Sequence, residues 1–156
     1  EGLGVDHEYV ASEFPSLGAS DMTPQINSVL SNDPDLVFTS FWAGDSTTFM
    51  SQAAEQGLFD EVEDVFDTIG ADPTVFSALG DTTPEGIHLS GWYWPTAYDN
   101  EYTPAFLYKY ESMYADEHVP SIPGFTRGQT GGAVQTYKQV IESVGSLNSD
   151  YIISEL

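Results

Sequence analysis

The sequence predicts an α/β domain built on an open parallel sheet with helices on both faces. Short apolar runs alternate with helix-length segments in the order β-α-β-α-β-α-β over residues 8–92. The connections between the runs are long enough for parallel crossovers, which need a dozen or more residues and are usually helical. Hydrophobic residues make up 40% of the chain and aromatic residues 13%, enough for a packed core.

Glu8–Phe14 reads as the first strand, followed by a loop at Pro15–Ser20. Thr23-Pro24 predicts a helix start, with a hydroxyl cap followed by proline at the first helical position. Ile26, Val29 and Leu30 give that helix an apolar stripe, and Asn32-Asp33-Pro34 ends it, because proline disfavours helix in the residue before it. Leu36–Ser40 is a nearly continuous apolar run, the pattern of a strand buried on both faces. The loop Phe41–Asp45 leads into a helix from about Ser46 to Gln56, with Phe49, Met50, Ala53 and Ala54 inward and Gly57 as its left-handed terminator. Val62–Phe66 is the third strand. The turn Thr68–Asp72 opens a short helix over Pro73–Leu79 closed by Gly80, and Gly86–Trp92 is the fourth strand.

Beyond Trp94-Pro95 the strand signal stops. Helices are predicted from about Thr103 to Asp116, from about Thr130 to Val144 with Gly145 as terminator, and from Ser149 onward; a Pro/Gly-rich break spans His118–Gly128. Three helices with no strand between them need a further layer to cover them.

Charge sets the solvent. The chain carries 3 Lys+Arg against 25 Asp+Glu, a formal net charge of -22, and its first basic side chain is Lys109, followed by Arg127 and Lys138. A one-sided field of this size opposes compaction at ordinary salt. Near 1 M salt the Debye length falls to roughly 3 Å and the repulsion is largely screened. The balance therefore predicts adaptation to concentrated salt; an ordinary acidic protein is the alternative. Disorder is excluded by the aromatic and aliphatic content. Nucleic acid and anionic membrane are poor partners for such a surface. No stretch of about 18 apolar residues is present, and no basic, apolar leader precedes the first strand. With no cysteine, thiolate catalysis, disulfides and Cys-type zinc sites are excluded.

In open parallel sheets a ligand crevice lies beyond the carboxyl ends of the strands. Two loops qualify, and both run into helices whose first N–H groups lack intrahelical partners and so suit an anionic or carbonyl-bearing ligand. The candidates in the first are Phe41, Trp42, Gly44 and Asp45; those in the second are Gly70, Ala71 and Asp72. Trp42 offers a flat surface for stacking or for a cation. Each acid has a plainer role as a helix cap, and each glycine as a turn residue. Trp92, Tyr93 and Trp94 form an aromatic group where strand gives way to helix, either packing between layers or facing a cleft as a hinge. Tyr102, Tyr108, Tyr110 and Tyr114 read mostly as packing.

Enzyme signatures are thin. His7, His88 and His118 are far apart, and His88 falls inside a predicted strand as a packed residue. No nucleophile elbow, phosphate loop, dinucleotide fingerprint or zinc-protease motif occurs, and Asn32–Asp35 lacks calcium-loop spacing. No catalytic residue, metal site or cofactor is predicted.

Several ordered pieces resemble one family. Glu13–Asp21 followed by Thr23-Pro-Gln-Ile26, then Asn32–Phe38, then Trp42–Asp45 with Phe49 and Gln52–Leu58, then Leu79–Asp81 with Pro84–Ile87, resemble the type I periplasmic binding proteins of ABC transporters, in the branch that binds Leu/Ile/Val and amides. The match runs over residues 8–145. It implies two Rossmann-like lobes closing on a ligand across a three-segment hinge. Residues 1–94 would then be most of the second lobe and residues 95–156 a helical segment of the first, with Trp92, Tyr93 and Trp94 at the hinge; the first lobe's main sheet would lie outside this segment. The resemblance implies that the loop 41–45 contacts ligand, with Trp42 as the covering aromatic. The family's amino-acid binders place an acid in the turn after the next strand; here that turn is Thr68-Ile-Gly-Ala, with Asp72 displaced, a departure that weighs against an amino acid. The implied function is an extracellular binding component of an importer that takes a branched-chain or other amino acid, an amide or urea. Its partners would be that small polar solute and the membrane permease, with no nucleic acid; it would act as a monomer, held at the cell surface through a preceding segment. A sensor that signals without transport is the alternative on the same fold, and an α/β enzyme a remote one.

Overall fold

The computed structural model describes residues 6–91, 94–97, 100–117 and 122–156. It divides into two compact units, Glu1–Gly91 and Trp92–Leu156. The first holds α1 (Thr23–Leu30), β1 (Leu36–Thr39), α2 (Gly44–Glu55), α3 (Leu58–Glu61), β2 (Asp64–Asp67), α4 (Pro73–Leu79), a 3-10 turn over Gly80–Thr82 and β3 (Ile87–Leu89). The three strands form one parallel sheet in the order β1-β2-β3. Val37 faces Val65 across the first ladder and Val65 faces Ile87 across the second, while Thr39 and Asp67 share a rung at the carboxyl end.

Side-chain period decides which face is buried. Val37 and Val65 point into a core with Met22, Ile26, Phe49, Met50, Ala53, Leu58, Val75 and Leu79. Their strand neighbours point the other way: Leu36 is 56% exposed and Phe38 74%. The sheet therefore buries one face, not the two predicted. Topology gives the reason. With the strands ordered 1-2-3 and right-handed crossovers, every crossover helix falls on the same side; a second layer needs a reversal of order. The helices accordingly pack on one another, α2 against α1, α3 and α4.

The predicted strand at Glu8–Phe14 does not form. These residues have no regular structure, and Tyr9 and Phe14 stand in solvent. A strand exists only with a ladder partner, and here Glu13 instead accepts a 2.6 Å hydrogen bond from the Ser28 hydroxyl on α1. The first helix is also capped differently. Thr23 is its first helical residue rather than its cap, and the Asp21 carboxylate accepts the Thr23 N–H at 3.0 Å. Gly57 takes the left-handed conformation predicted for it, at φ 77°, but the chain then turns straight into α3, which the sequence did not signal. Ala54, expected inside, is exposed while Ala53 is buried.

The second unit contains a 3-10 turn at Pro95–Ala97, then α5 (Tyr102–Tyr114), α6 (Phe125–Val144) and α7 (Ser149–Glu155). The middle helix begins at Phe125, five residues before the predicted start at Thr130, capped by extended Gly124. Gly131 on α6 lies against the Phe106 ring of α5, where a Cβ would meet ring carbon Cε2 at 2.8 Å. Gly145 ends α6 at φ 62°, and Asn148 caps α7 by accepting the Asp150 N–H at 2.9 Å. Of the four tyrosines on α5, Tyr110 is buried, whereas Tyr102 and Tyr108 are exposed. No helix among the described residues is long and apolar enough to cross a membrane.

Candidate functional site

The carboxyl ends of β1 and β2 bring both predicted loops to one edge of the sheet. Thr39 and Asp67 end the strands on the same rung. One residue further, the hydroxyls of Ser40 and Thr68 meet at 2.7 Å, and the Thr68 N–H and hydroxyl both donate to the Thr39 carbonyl at 3.1 Å. The two loops thus leave the sheet side by side, stitched at their roots.

In the first loop the candidate residues separate by role. Phe41 packs on Phe49, with ring centroids 5.1 Å apart, and belongs to the edge of the core. Trp42 projects with 54% of its surface exposed. Ala43 holds φ 51°, ψ -118°, a backbone region that L residues occupy at a cost of roughly 1–3 kcal/mol and that is concentrated at binding sites. That strain lets the chain pass from strand to α2 while leaving the helix start without a side-chain cap. Gly44 opens α2 in free space, so its lack of a side chain is not demanded by sterics. Asp45 turns its carboxylate back to the Gly18 N–H, at 3.1 and 3.3 Å, and so ties the Pro15–Ser20 loop to α2. Gln52, one helical stretch on, does the same with two bonds, accepting from Met22 N–H at 2.6 Å and donating to the Ser20 carbonyl at 2.9 Å.

The second loop is tighter. Gly70 lies directly over the Asp67 carboxyl, where a Cβ would sit 2.7 Å from Cγ. Ala71 donates to the Ser90 carbonyl at 3.3 Å, and Ser90 in turn donates to the Asp67 carbonyl at 3.0 Å. Asp72 is the cap of α4. It is 7% exposed, and its Oδ1 accepts the Thr74 N–H at 2.9 Å and the Thr74 hydroxyl at 2.6 Å. With Pro73 offering no N–H and the Val75 N–H given to the Asp72 carbonyl at 3.0 Å, this helix start has its donors engaged. The prediction of a free helix N-terminus there is corrected: proline and the Asp72 cap use it up.

The residue that sequence reading missed is Asp67. It is 1% exposed, its Oδ1 accepts the Ile69 N–H at 3.3 Å, and its Oδ2 is enclosed without a hydrogen-bond partner. Ser46, in the first turn of α2, is 0% exposed and its hydroxyl is likewise unpartnered. Burial pushes the Asp67 carboxyl above the ordinary carboxylate range; the Ile69 N–H, the Ser46 hydroxyl, the Gly70 N–H and the Thr39 hydroxyl oppose that push without cancelling it. One signal was available: with a period of two, Asp67 must share the inward face of Val65.

The remaining predicted positions lie elsewhere. Trp92 and Tyr93 fall outside the described residues. Trp94 is half-buried, and its carbonyl accepts the Ala97 N–H at 3.0 Å. His88 is on the exposed sheet face rather than packed inside, stacked on Phe66 at 4.6 Å and 2.9 Å from Asp64. A groove of about 450 Å³ in the second unit, lined by Phe106, Lys109, Tyr110, Met113 and Arg127 among others, includes none of the predicted site residues. No group of three or more His, Cys, Asp or Glu able to hold a metal occurs among the described residues.

Comparison with known proteins adds the family. Residues 2–156 match the family described as periplasmic binding protein. No curated protein matches the sequence. Among solved structures, the fold resembles an amino acid ABC transporter substrate-binding protein from Pseudomonas fluorescens Pf-5, with a TM-score of 0.71 and 17% identity. The superposition covers 95% of this chain and 37% of that one, so the chain spans well under half the length of the solved structure. At that identity the likeness is one of fold.

Proposed function

The chain belongs to the periplasmic binding protein family, and from that premise we propose that it supplies the ligand-gripping face of one lobe of an extracellular solute receptor. Members of the family bind solutes and do not transform them; an extracellular place of work goes with the same membership. In this reading residues 1–94 form most of one lobe, residues 95–156 contribute helices to the other, and Trp92 to Trp94 lie at the crossing between them. A small polar solute, an amino acid, amide or urea, is held between the lobes and presented to the permease of an ABC importer. Anchoring at the cell surface and function as a monomer belong to the same proposal.

The observation that carries the reading is the pair of loops rooted at Ser40 and Thr68, the first of which presents exposed Trp42 next to the strained backbone of Ala43. The head of α2, which has no side-chain cap although its Asp45 N–H is given to the Trp42 carbonyl at 3.1 Å, and the indole face together suit a ligand with one polar end and one flat or cationic end. Asp45 and Asp72 support the loops from behind, by the hydrogen bonds given above. The absence of an acid at positions 68–71 favours a neutral amide or urea over an α-amino acid, because a ligand ammonium would lack a carboxylate there. The test is Trp emission of the complete two-lobed protein in about 2 M salt, titrated with amino acids, amides and urea. Saturable quenching by one class supports the proposal; no change with any of them refutes it.

A further inference from the structure

Positive charge is scarce in this chain, and its placement is uneven. Of 3 Lys+Arg, Lys138 pairs with Glu142 on its own helix at 3.2 Å. The other two, Lys109 on α5 and Arg127 on α6, both line the groove of about 450 Å³ in the second unit. Neither forms an ion pair among the described residues, and none of the 25 Asp+Glu is among the described residues that line the groove. In a chain with a net charge of -22, that is a local reversal of sign.

The wall beside the two cations is aromatic. Phe106, Tyr110 and Tyr114 recur at every fourth residue and so share one face of α5. Their rings follow one another, Phe106 to Tyr110 at 6.5 Å and Tyr110 to Tyr114 at 4.9 Å between centroids. Tyr110 is 6% exposed, and Arg127 Cζ stands 5.8 Å from its ring centroid, within cation–π range. That contact orients the guanidinium while leaving its N–H fork without a carboxylate among the described residues. Met113, 70% exposed, adds an adaptable thioether to the lining. Thr130 also lines the groove but gives its hydroxyl proton to the Thr126 carbonyl at 2.7 Å, so the strong donors toward an anion are the two cations.

We propose that this groove is a second binding site, for a small organic carboxylate with an aromatic or branched apolar body. The planar fork of Arg127 matches a carboxylate in shape and donor spacing, Lys109 adds a second charge, and the aromatic wall takes the apolar body. The volume falls in the range of small-molecule sites, about 300–1,000 Å³, which are lined mostly by apolar side chains with a few polar groups. That favours a free small molecule over a protein segment, whose interface spreads over about 800 Å² per side. The groove shares no residue with loops 41–45 and 68–72, and the proposal does not depend on the solute-binding reading.

The test is amide NMR of the full-length protein in about 2 M salt, titrated with 3-phenylpropionate and with its neutral amide, 3-phenylpropionamide. Saturable shifts are expected for both probes at the amides of α5 and the first turns of α6. The carboxylate is expected to bind on the order of tenfold more tightly, the worth of hydrogen bonds to a charged group. Arg127→Gln should abolish that preference, and Lys109→Gln should reduce it about threefold. Lys138→Gln, which removes the same charge outside the groove, should leave it unchanged. The preference is a ratio within one protein, so a general loss of stability does not imitate these results. No saturable shift at these amides, the outcome if other parts of the polypeptide cover the groove, overturns the proposal. So does equal affinity for the two probes in wild type, or a preference that survives both groove substitutions or falls equally in Lys138→Gln.

Discussion

Replacing Gly70 with alanine is a sharp structural perturbation of the proposed site, because the contacts are fixed by well-buried neighbours. The new Cβ would overlap Asp67 Oδ2, sit 2.7 Å from Asp67 Cγ and touch Leu89 Cδ2 at 3.1 Å. Asp67 is 1% exposed and cannot swing outward, so either the carboxyl or the loop must move. Moving the loop strains the Ala71–Ser90 and Ser90–Asp67 bonds at 3.3 and 3.0 Å. Forcing a methyl into a packed site costs about 1–3 kcal/mol. Spread over a unit of 91 residues, Glu1–Gly91, at about 4–8 °C per kcal/mol, the expected fall in Tm is roughly 4–24 °C. The assay is circular dichroism against temperature in about 2 M salt, with Gly44→Ala as the control. At Gly44 nothing lies within 4 Å of the added carbon, and the position is helical, so alanine there is expected to be neutral or to stabilise by about 0.5 kcal/mol. A Gly70→Ala protein as stable as Gly44→Ala would refute the packing described for loop 68–72.

Further outcomes follow from the same geometry. Asp72→Ala should lose about 1 kcal/mol through the missing α4 cap, whereas Asp72→Asn should keep both stability and solute affinity; loss of affinity in Asp72→Asn alone would make that carboxylate a ligand contact. Raising salt from about 0.1 M to about 2 M should raise Tm, since a net charge of -22 is then screened at roughly 3 Å or less; a Tm that falls or stays level would count against the salt-adapted reading of the composition.

Much of the fold was legible because its signals are local. The β1 and β2 runs, the Phe49–Met50–Ala53 stripe and the left-handed glycines 57 and 145 follow from side-chain period and backbone sterics, which any segment carries with it. The misses depend on what is not local. Glu8–Phe14 has strand residues but no ladder partner, and Leu36–Thr39 has apolar residues on both faces while the 1-2-3 strand order supplies helices to only one. The early start of α6 at Phe125 goes with the close approach of Gly131 to Phe106, a tertiary contact that composition does not announce. In the candidate site, the two loops and exposed Trp42 were readable from the strand-to-helix pattern. Asp67 was not, because an aspartate closing a strand reads as a solvated end until the inward face of Val65 is extended by two residues. Asp72 was readable in its plainer role, as a cap.

The central claim is that Trp42 and the loops rooted at Ser40 and Thr68 grip a small polar solute. Calorimetric titration of the complete two-lobed protein in about 2 M salt, comparing wild type with Trp42→Ala, tests it most directly. The account predicts one saturable site for an amide, urea or amino acid, weakened more than about tenfold in the mutant, a loss of about 1.4 kcal/mol or more. Equal affinity in the two proteins would contradict it.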